Sequence, residues 1–505
     1  MIDLPAWVAN GLELLSATLI VAIGCFLAAL VVMYIIDATQ TKDAVRHNFP
    51  VLGRFRYLFS KLGEFFRQYF FAMDREEMPF NRAEREWVYR AGKGKDNTVA
   101  FGSTKSLTGV GTFIFINCPF PMLEADAAVT QPMVIGPYAR EPYSASSFFN
   151  ISGMSYGALS KPAVQALSRG ARMAGCWMNT GEGGLSPYHL EGGCDIVFQI
   201  GTAKYGVRNE DGTFSDEGLR KIAEHQEVKM FELKLSQGAK PGKGGILPGA
   251  KVTQEIADVR GIKAGEASIS PNRHPEINSV PELLDFIERI REVSGKPAGF
   301  KTVVGTHDWL DEMCQEIHKR GIESAPDFIT VDSGDGGTGA APMSLMDNVG
   351  LCIEESLPLV SDTLHKYGLR DRIKIIASGK LITPSDVAWA ICTGADFVTS
   401  ARGFMFSLGC IQALKCNKNT CPTGITTHDK RLQSGLNPED KAVKVANYQR
   451  NLVHEVEVIA HSCGASEPRG LRRKHVRIVQ ANGKSVAMDQ LYPRPEVIAS
   501  FDKAA

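Results

Sequence analysis

Three regimes of apolar and polar patterning follow one another along this chain. The first is an unbroken uncharged run from Leu14 to Ile36, LLSATLIVAIGCFLAALVVMYII, with no polar face. About 20 consecutive apolar residues suffice to cross the hydrocarbon layer of a bilayer, so the run predicts a single transmembrane helix. A cleaved signal peptide and a buried core helix are the alternatives. A signal, however, has a basic leader, a shorter apolar core and a prompt small-residue cleavage site, and none of these accompanies the run. In the second regime, residues 49 to 73, Phe, Tyr and Leu are interleaved with Arg and Lys, a pattern shared by segments lying along a membrane surface and by ordinary docking helices. The third starts near residue 145, where short β-rich runs alternate with helical stretches, the signature of a parallel α/β architecture.

In that third regime eight runs read as strands: 148–152, 176–180, 195–200, 229–235, 299–304, 327–331, 373–378 and 396–400. Amphipathic helices fall between them, for example at 161–174, 280–293 and 384–394. Eight parallel strands with intervening helices predict a closed (β/α)8 TIM barrel, whose chemistry gathers at the C-terminal ends of the strands. The organisation read from the chain is a transmembrane helix at 14–36, a juxtamembrane amphipathic segment at 37–80 and a cap at 81–145. The barrel follows at 146–425, and a helical extension at 426–505.

The residues after the predicted strands are polar and glycine-rich: Met154 and Ser155, Glu182 among glycines, Gln199, Lys234 with Gln237 and Lys240, and Lys301. The run DSGDGGTGA, which contains Gly336 and Gly337, follows the sixth strand, Ser378 and Gly379 the seventh, and Ser400 to Gly403 the eighth. Each glycine turn alone is an ordinary tight turn. Together they let backbone approach a ligand and aim amides at phosphate oxygens, and the last two strands are where barrels commonly hold a phosphate. Lys234 and Lys240 suit an anionic ligand, and Glu182 suits an acid, a base or an amine-orienting group; a surface ion pair is the plain alternative for each.

Cysteine adds a second chemistry. Cys410, Cys416 and Cys421 are spaced C-x5-C-x4-C and end in Cys-Pro. Three thiolates on one loop are a donor set for an iron–sulfur cluster lacking one iron; zinc, which prefers paired spacing and four ligands, and plain structural cysteines are the rivals. The other eight cysteines read as small core residues. With 11 Cys and 49 Gly in 505 residues, the chain looks like a reduced-thiol protein rather than a disulfide framework. Lys plus Arg and Asp plus Glu both number 56, so no overall field draws nucleic acid. The local bias is sharper. Asp3 and Glu13 precede the apolar run, whereas Lys42, Arg46, Arg54, Arg56, Lys61 and Arg67 follow it, which places the remainder in the cytoplasm, bound to the cytoplasmic membrane.

From about 145 to 460 the chain resembles the FMN-binding synthase domain of glutamate synthase. The resemblance rests on MSYGALS (154–160), GEGG (181–184), FQIGTAKYGV (198–207), ELKLSQGAKPGKGGILPG (232–249), ISPNRHPEI (269–277), DSGDGGTGAAP (332–342) and the cysteine loop. It implies a barrel of the FMN-binding type, a [3Fe-4S] cluster on Cys410, Cys416 and Cys421, and reductive amination of 2-oxoglutarate to L-glutamate. The family's flavin-contacting Gln and Lys match Gln199 and Lys234. Its substrate-binding Gln and Lys match Gln237 and Lys240, its carboxylate-binding Arg matches Arg260, and its Glu beside the reacting carbon matches Glu182.

Several departures qualify the likeness. Complete family members begin with a glutaminase domain, so ammonia is expected from the free pool or a separate glutaminase. Ile246 replaces a family Gln in GGILPG, and the family's glycine-rich phosphate turn reads Thr399-Ser400-Ala401-Arg402, with Arg402 as a possible phosphate ligand. No dinucleotide fingerprint is found, so electrons are expected from ferredoxin, a reductase subunit or a membrane carrier. The same cofactors also suit an amino-acid or N-alkylamino-acid dehydrogenase running in reverse, or a non-catalytic electron-transfer subunit.

Overall fold

The computed structural model describes residues 5–498 in two compact units, which divide after Arg82. In the first, the apolar run lies within a helix, Ala6–Thr39, that is longer than the uncharged stretch at both ends. Its mean hydropathy reaches 2.9, and it is the one described helix long and apolar enough to cross a membrane. At its C-terminal end Asp37 is wholly buried by its partners: Arg46 lies 2.5 Å from Oδ1, Arg54 lies 2.7 Å from Oδ2, and the Val51 amide donates to Oδ2 at 3.1 Å. Two of the six cations that follow the run are thus committed to one carboxylate. They fix the corner between Ala6–Thr39 and the amphipathic helix Leu52–Phe66.

The second unit is built on a closed barrel of eight parallel strands. In chain order these are β1 (Phe149–Ile151), β2 (Met178–Asn179), β3 (Ile196–Ile200), β4 (Val228–Lys234), β5 (Ala298–Val303), β6 (Phe328–Asp332), β7 (Lys374–Ser378) and β8 (Phe397–Ser400). All eight expected strands are present. β2 is the most shortened, because Thr180 already turns into the Gly181–Gly183 helical turn. Closure is made by β8 on β1, with Val398 opposite Phe149 and Ser400 opposite Ile151. The three expected helices form at Lys161–Ala174, Val280–Ser294 and Pro384–Thr393, each opened by a Ser or Thr side chain that accepts a backbone N–H and followed by glycine.

An antiparallel pair, Met133–Ile135 with Tyr143–Ala145, stops the N-terminal end of the barrel. Ile135, Tyr143 and Ala145 pack into one buried cluster with Trp177, just before β2, and with Val197, Met230, Phe328, Ile376 and Phe397 of the barrel strands. The polar ends are left for the opposite mouth.

Two sequence expectations need correction. The segment after 426 is only partly helical: Pro438–Ser462 is a long helix, close enough to Lys161–Ala174 that a Cβ on Gly170 would fall 2.5 Å from Val445 Cγ1. Beyond it, Val476–Val479 and Ser485–Ala487 form a hairpin that joins Phe113–Phe115 in a three-stranded sheet. The eight remaining cysteines are also not uniformly internal, since Cys25 and Cys352 are exposed and Cys118 is half-buried.

Candidate active site

The C-terminal mouth of the barrel holds two adjoining clefts that share Gly153, Gln199, Lys234, Gln237, Gly337 and Arg402. Met154, Ser155, Glu182, Lys240, Arg260 and Cys416 line one. Lys301, Ser378, Gly379 and Ser400 line the other. Gly336 lines neither: a Cβ there would sit 2.9 Å from the Ser333 carbonyl and 3.5 Å from Gly238 Cα, so its place is to let two turns cross.

Glu182 is the centre of the first cleft. It sits on the turn after β2, and its Oε2 is 2.9 Å from Lys234 Nζ at the end of β4, with about 18% of its side chain exposed to the cleft. Burial pushes its carboxyl up, but Lys234, Lys240 and Arg260 outweigh that and hold it below the ordinary carboxylate range. Glycine makes the room: a Cβ on Gly245 would fall 2.2 Å from Glu182 Oε1, and one on Gly201 2.5 Å from Glu182 Cβ. Lys240 lies opposite in charge, and burial pulls it down to about 8 against the attraction of Glu182. Lys234 also donates to Gln237 Oε1, and Gln237 passes its own amide N–H to Thr338 Oγ1 at 3.1 Å.

Arg260 ends helix Gln254–Arg260, which Thr253 opens and Gly261, at φ +65, closes. Its guanidinium donates to Ser268 Oγ and to the Tyr156 carbonyl, each at 3.3 Å, and lies 5.1 Å from the centre of the Tyr205 ring. Its Nε is buried with no hydrogen-bond partner, and the residue lines the same cleft.

Gln199 and Lys301 point to a residue that reading only the strand ends overlooked. Glu232, inside β4, accepts from Gln199 Nε2 at 2.7 Å, Asn179 Nδ2 at 2.8 Å and Thr330 Oγ1 at 2.5 Å. Lys301 pairs with Asp332 at 3.1 Å; burial opposes its charge, yet Asp332 and Glu232 prevail and raise it. The period-two pattern of FELK places Glu232 on the same face as Lys234, and that alternation was the available signal.

The second cleft is lined by glycine and polar groups. A Cβ on Gly153 would fall 2.9 Å from Asn179 Oδ1, and Gly379, at φ +110, passes so close to Ser333 that a Cβ would fall 2.4 Å from its Cβ. Arg402 is not confined to the turn after β8. Its guanidinium donates to the Thr338 carbonyl and approaches Cys416 Sγ at 3.9 Å, spanning the cleft wall and the cysteine loop.

That loop is wound through three left-handed non-glycine residues, Gln412, Leu414 and Asn419. Burial pushes the Cys410 thiol up to about 11, whereas hydrogen bonds from Thr423 and Thr426 overcome burial and bring Cys421 down. Among the described residues no group of three His, Cys, Asp or Glu side chains is set to hold a metal ion. Lys251, fully buried, ties this loop to the barrel by donating to the Ala158 carbonyl at 2.8 Å and the Cys416 carbonyl at 3.3 Å.

A parallel barrel with a buried, cation-held carboxylate and glycine-lined clefts at its C-terminal mouth has the build of a barrel enzyme. Residues 121–466 match the profile of the conserved region in glutamate synthase. The chain belongs to the glutamate synthase family. It is 40% identical to the glutamate synthase large subunit-like protein YerD of Bacillus subtilis, across 94% of this chain and 98% of that one. The archaeal-type glutamate synthase [NADPH] of Thermotoga maritima is 35% identical across 64% of this chain, which spans 60% of that enzyme's length. Among solved structures, a mandelate oxidase with benzoyl-formic acid overlaps at TM-score 0.44 and 15% identity over 73% of this chain and 87% of that one.

Proposed function

We propose that this chain reductively aminates 2-oxoglutarate to L-glutamate as an FMN- and iron–sulfur-dependent, membrane-anchored member of its family. The observation that carries the reading is the ionised Glu182 held among Lys234, Lys240 and Arg260. One buried carboxylate amid three cations leaves an excess of positive charge, which suits a substrate carrying two carboxylates.

Lys240 and Arg260 hold the substrate carboxylates, both desolvated so that each contact counts for more than in water. Glu182 Oε1 accepts an N–H of ammonia and aims the nitrogen at the 2-oxo carbon, and two of the nitrogen's protons pass to the carbonyl oxygen, which departs as water. Gln199, Lys234, Lys301, Gly379, Ser400 and Arg402 fit FMN at the glycine cradle. When bound, FMN supplies the hydride that reduces the imine. Cys410, Cys416 and Cys421 are the donor set for a [3Fe-4S] cluster, and Arg402 and Lys251 would supply cations beside it. Electrons come from a ferredoxin-like donor, a reductase subunit or a membrane carrier.

Helix Ala6–Thr39 spans the cytoplasmic membrane, with the barrel on the cytoplasmic side. The deciding assay is anaerobic: chemically reduced, detergent-solubilised protein receives 2-oxoglutarate and ammonium. Glutamate formed as the flavin reoxidises is the expected result, and reoxidation without glutamate, or neither, overturns the proposal. For the anchor, retention of the full-length chain in carbonate-washed membranes is expected, and release into the wash refutes it.

A further inference from the structure

Arg260 is held through both ends of its short helix by a single residue of another loop. The Tyr156 hydroxyl donates to Glu255 Oε2 at 2.6 Å in the first turn, and the Tyr156 carbonyl accepts from Arg260 Nη2 at 3.3 Å in the last. Tyr188 donates to the second oxygen of Glu255, and its ring meets that of Tyr156 edge-on at 5.1 Å. Lys161 completes the group, its Nζ 4.5 Å from the centre of the Tyr188 ring. Burial pushes the Glu255 carboxyl up, but the two tyrosine hydroxyls prevail and keep it below the ordinary range, so at neutral pH it is a double acceptor.

A seven-residue helix does not hold its own conformation in water, and a guanidinium buried at its end is placed only as well as the helix is placed. We propose that Tyr156 and Tyr188, closed on Glu255, are positioning residues that aim Arg260 at the substrate carboxylate. None of the three touches the reacting atoms. Their work is to remove the freedom of helix Gln254–Arg260 before substrate arrives, so that binding does not have to. The inference rests on the assignment of Arg260 to substrate binding under the proposed function.

The test uses the full-length chain with chemical reductant, ammonium and varied 2-oxoglutarate. E255A is expected to raise KM about tenfold while leaving kcat within about twofold and flavin content unchanged. E255Q, which still accepts from a tyrosine, restores most of the loss. An unchanged KM, or a fall in kcat accompanied by lost flavin, overturns the inference. If the parent chain does not turn over 2-oxoglutarate, the activity proposal fails by itself, and hydrogen exchange decides the inference. Faster exchange at Asp258 to Gly261 in E255A, with β1 unaffected, supports it, and equal rates refute it.

Discussion

Gln199 gives an amide N–H to Glu232 at 2.7 Å, and this contact fixes the plane of a side chain that both clefts share. Glu232 is 3% exposed and satisfied on both oxygens, so it anchors the barrel interior rather than reacting. E232Q turns one acceptor into a donor facing other donors. The expected cost is about 1–3 kcal/mol of stability together with weaker flavin retention. Thermal unfolding and flavin release on dilution measure both, and a variant indistinguishable from the parent would refute the anchoring role.

Lys240 gives the pH dependence its sign. Burial brings its ammonium down to about 8, so it is charged below that pH and loses its charge above it. kcat/KM for 2-oxoglutarate is therefore expected to fall as pH rises through about 8. K240R, whose charge persists, flattens that limb even if its absolute rate is lower. A parent profile that is level from pH 7 to 9.5 excludes Lys240 as the carboxylate partner.

The cysteine loop tests the proposed cluster apart from the proposed flavin. C410S, C416S and C421S are each expected to lose iron and acid-labile sulfide while keeping the flavin spectrum, since the residues proposed to hold the flavin lie on the barrel strands and turns. Metal analysis of anaerobically prepared protein reads this directly. Zinc in place of iron, or iron unaffected by all three changes, sinks the cluster assignment.

Gly153 tests the cradle. A Cβ there would come within 2.9 Å of Asn179 Oδ1 and 3.0 Å of Gln199 Nε2, so G153A must displace the amides that Glu232 holds. FMN affinity is expected to fall at least tenfold with a smaller change in melting temperature. Fluorescence titration of the flavin-free chain gives the answer, and undiminished affinity places the flavin elsewhere.

The barrel was legible because its strands are internal on both faces and punctuated by glycine: IVFQI and FITVD are buried at every position. Glu182, Lys234 and Lys240 were legible for a related reason, since charged residues at the ends of such strands or on the loops that follow have the mouth to face. Glu232 was missed because a carboxylate within a strand was read as part of the strand. The terminal hairpin was missed although Asn482-Gly483, with Gly483 at φ +75, is a turn signal; its flanking strands are only four and three residues long. Arg402 was placed on the turn where its backbone lies, but sequence cannot say how far a long side chain reaches, and this one crosses to Thr338.

The antiparallel pair that stops the barrel's lower end leaves the barrel open at one mouth. Whatever enters by the upper rim must leave by it. With Ile135, Tyr143 and Ala145 closing the floor, the reactants and product of the proposed reaction share a single doorway, and each turnover must clear it before the next can begin.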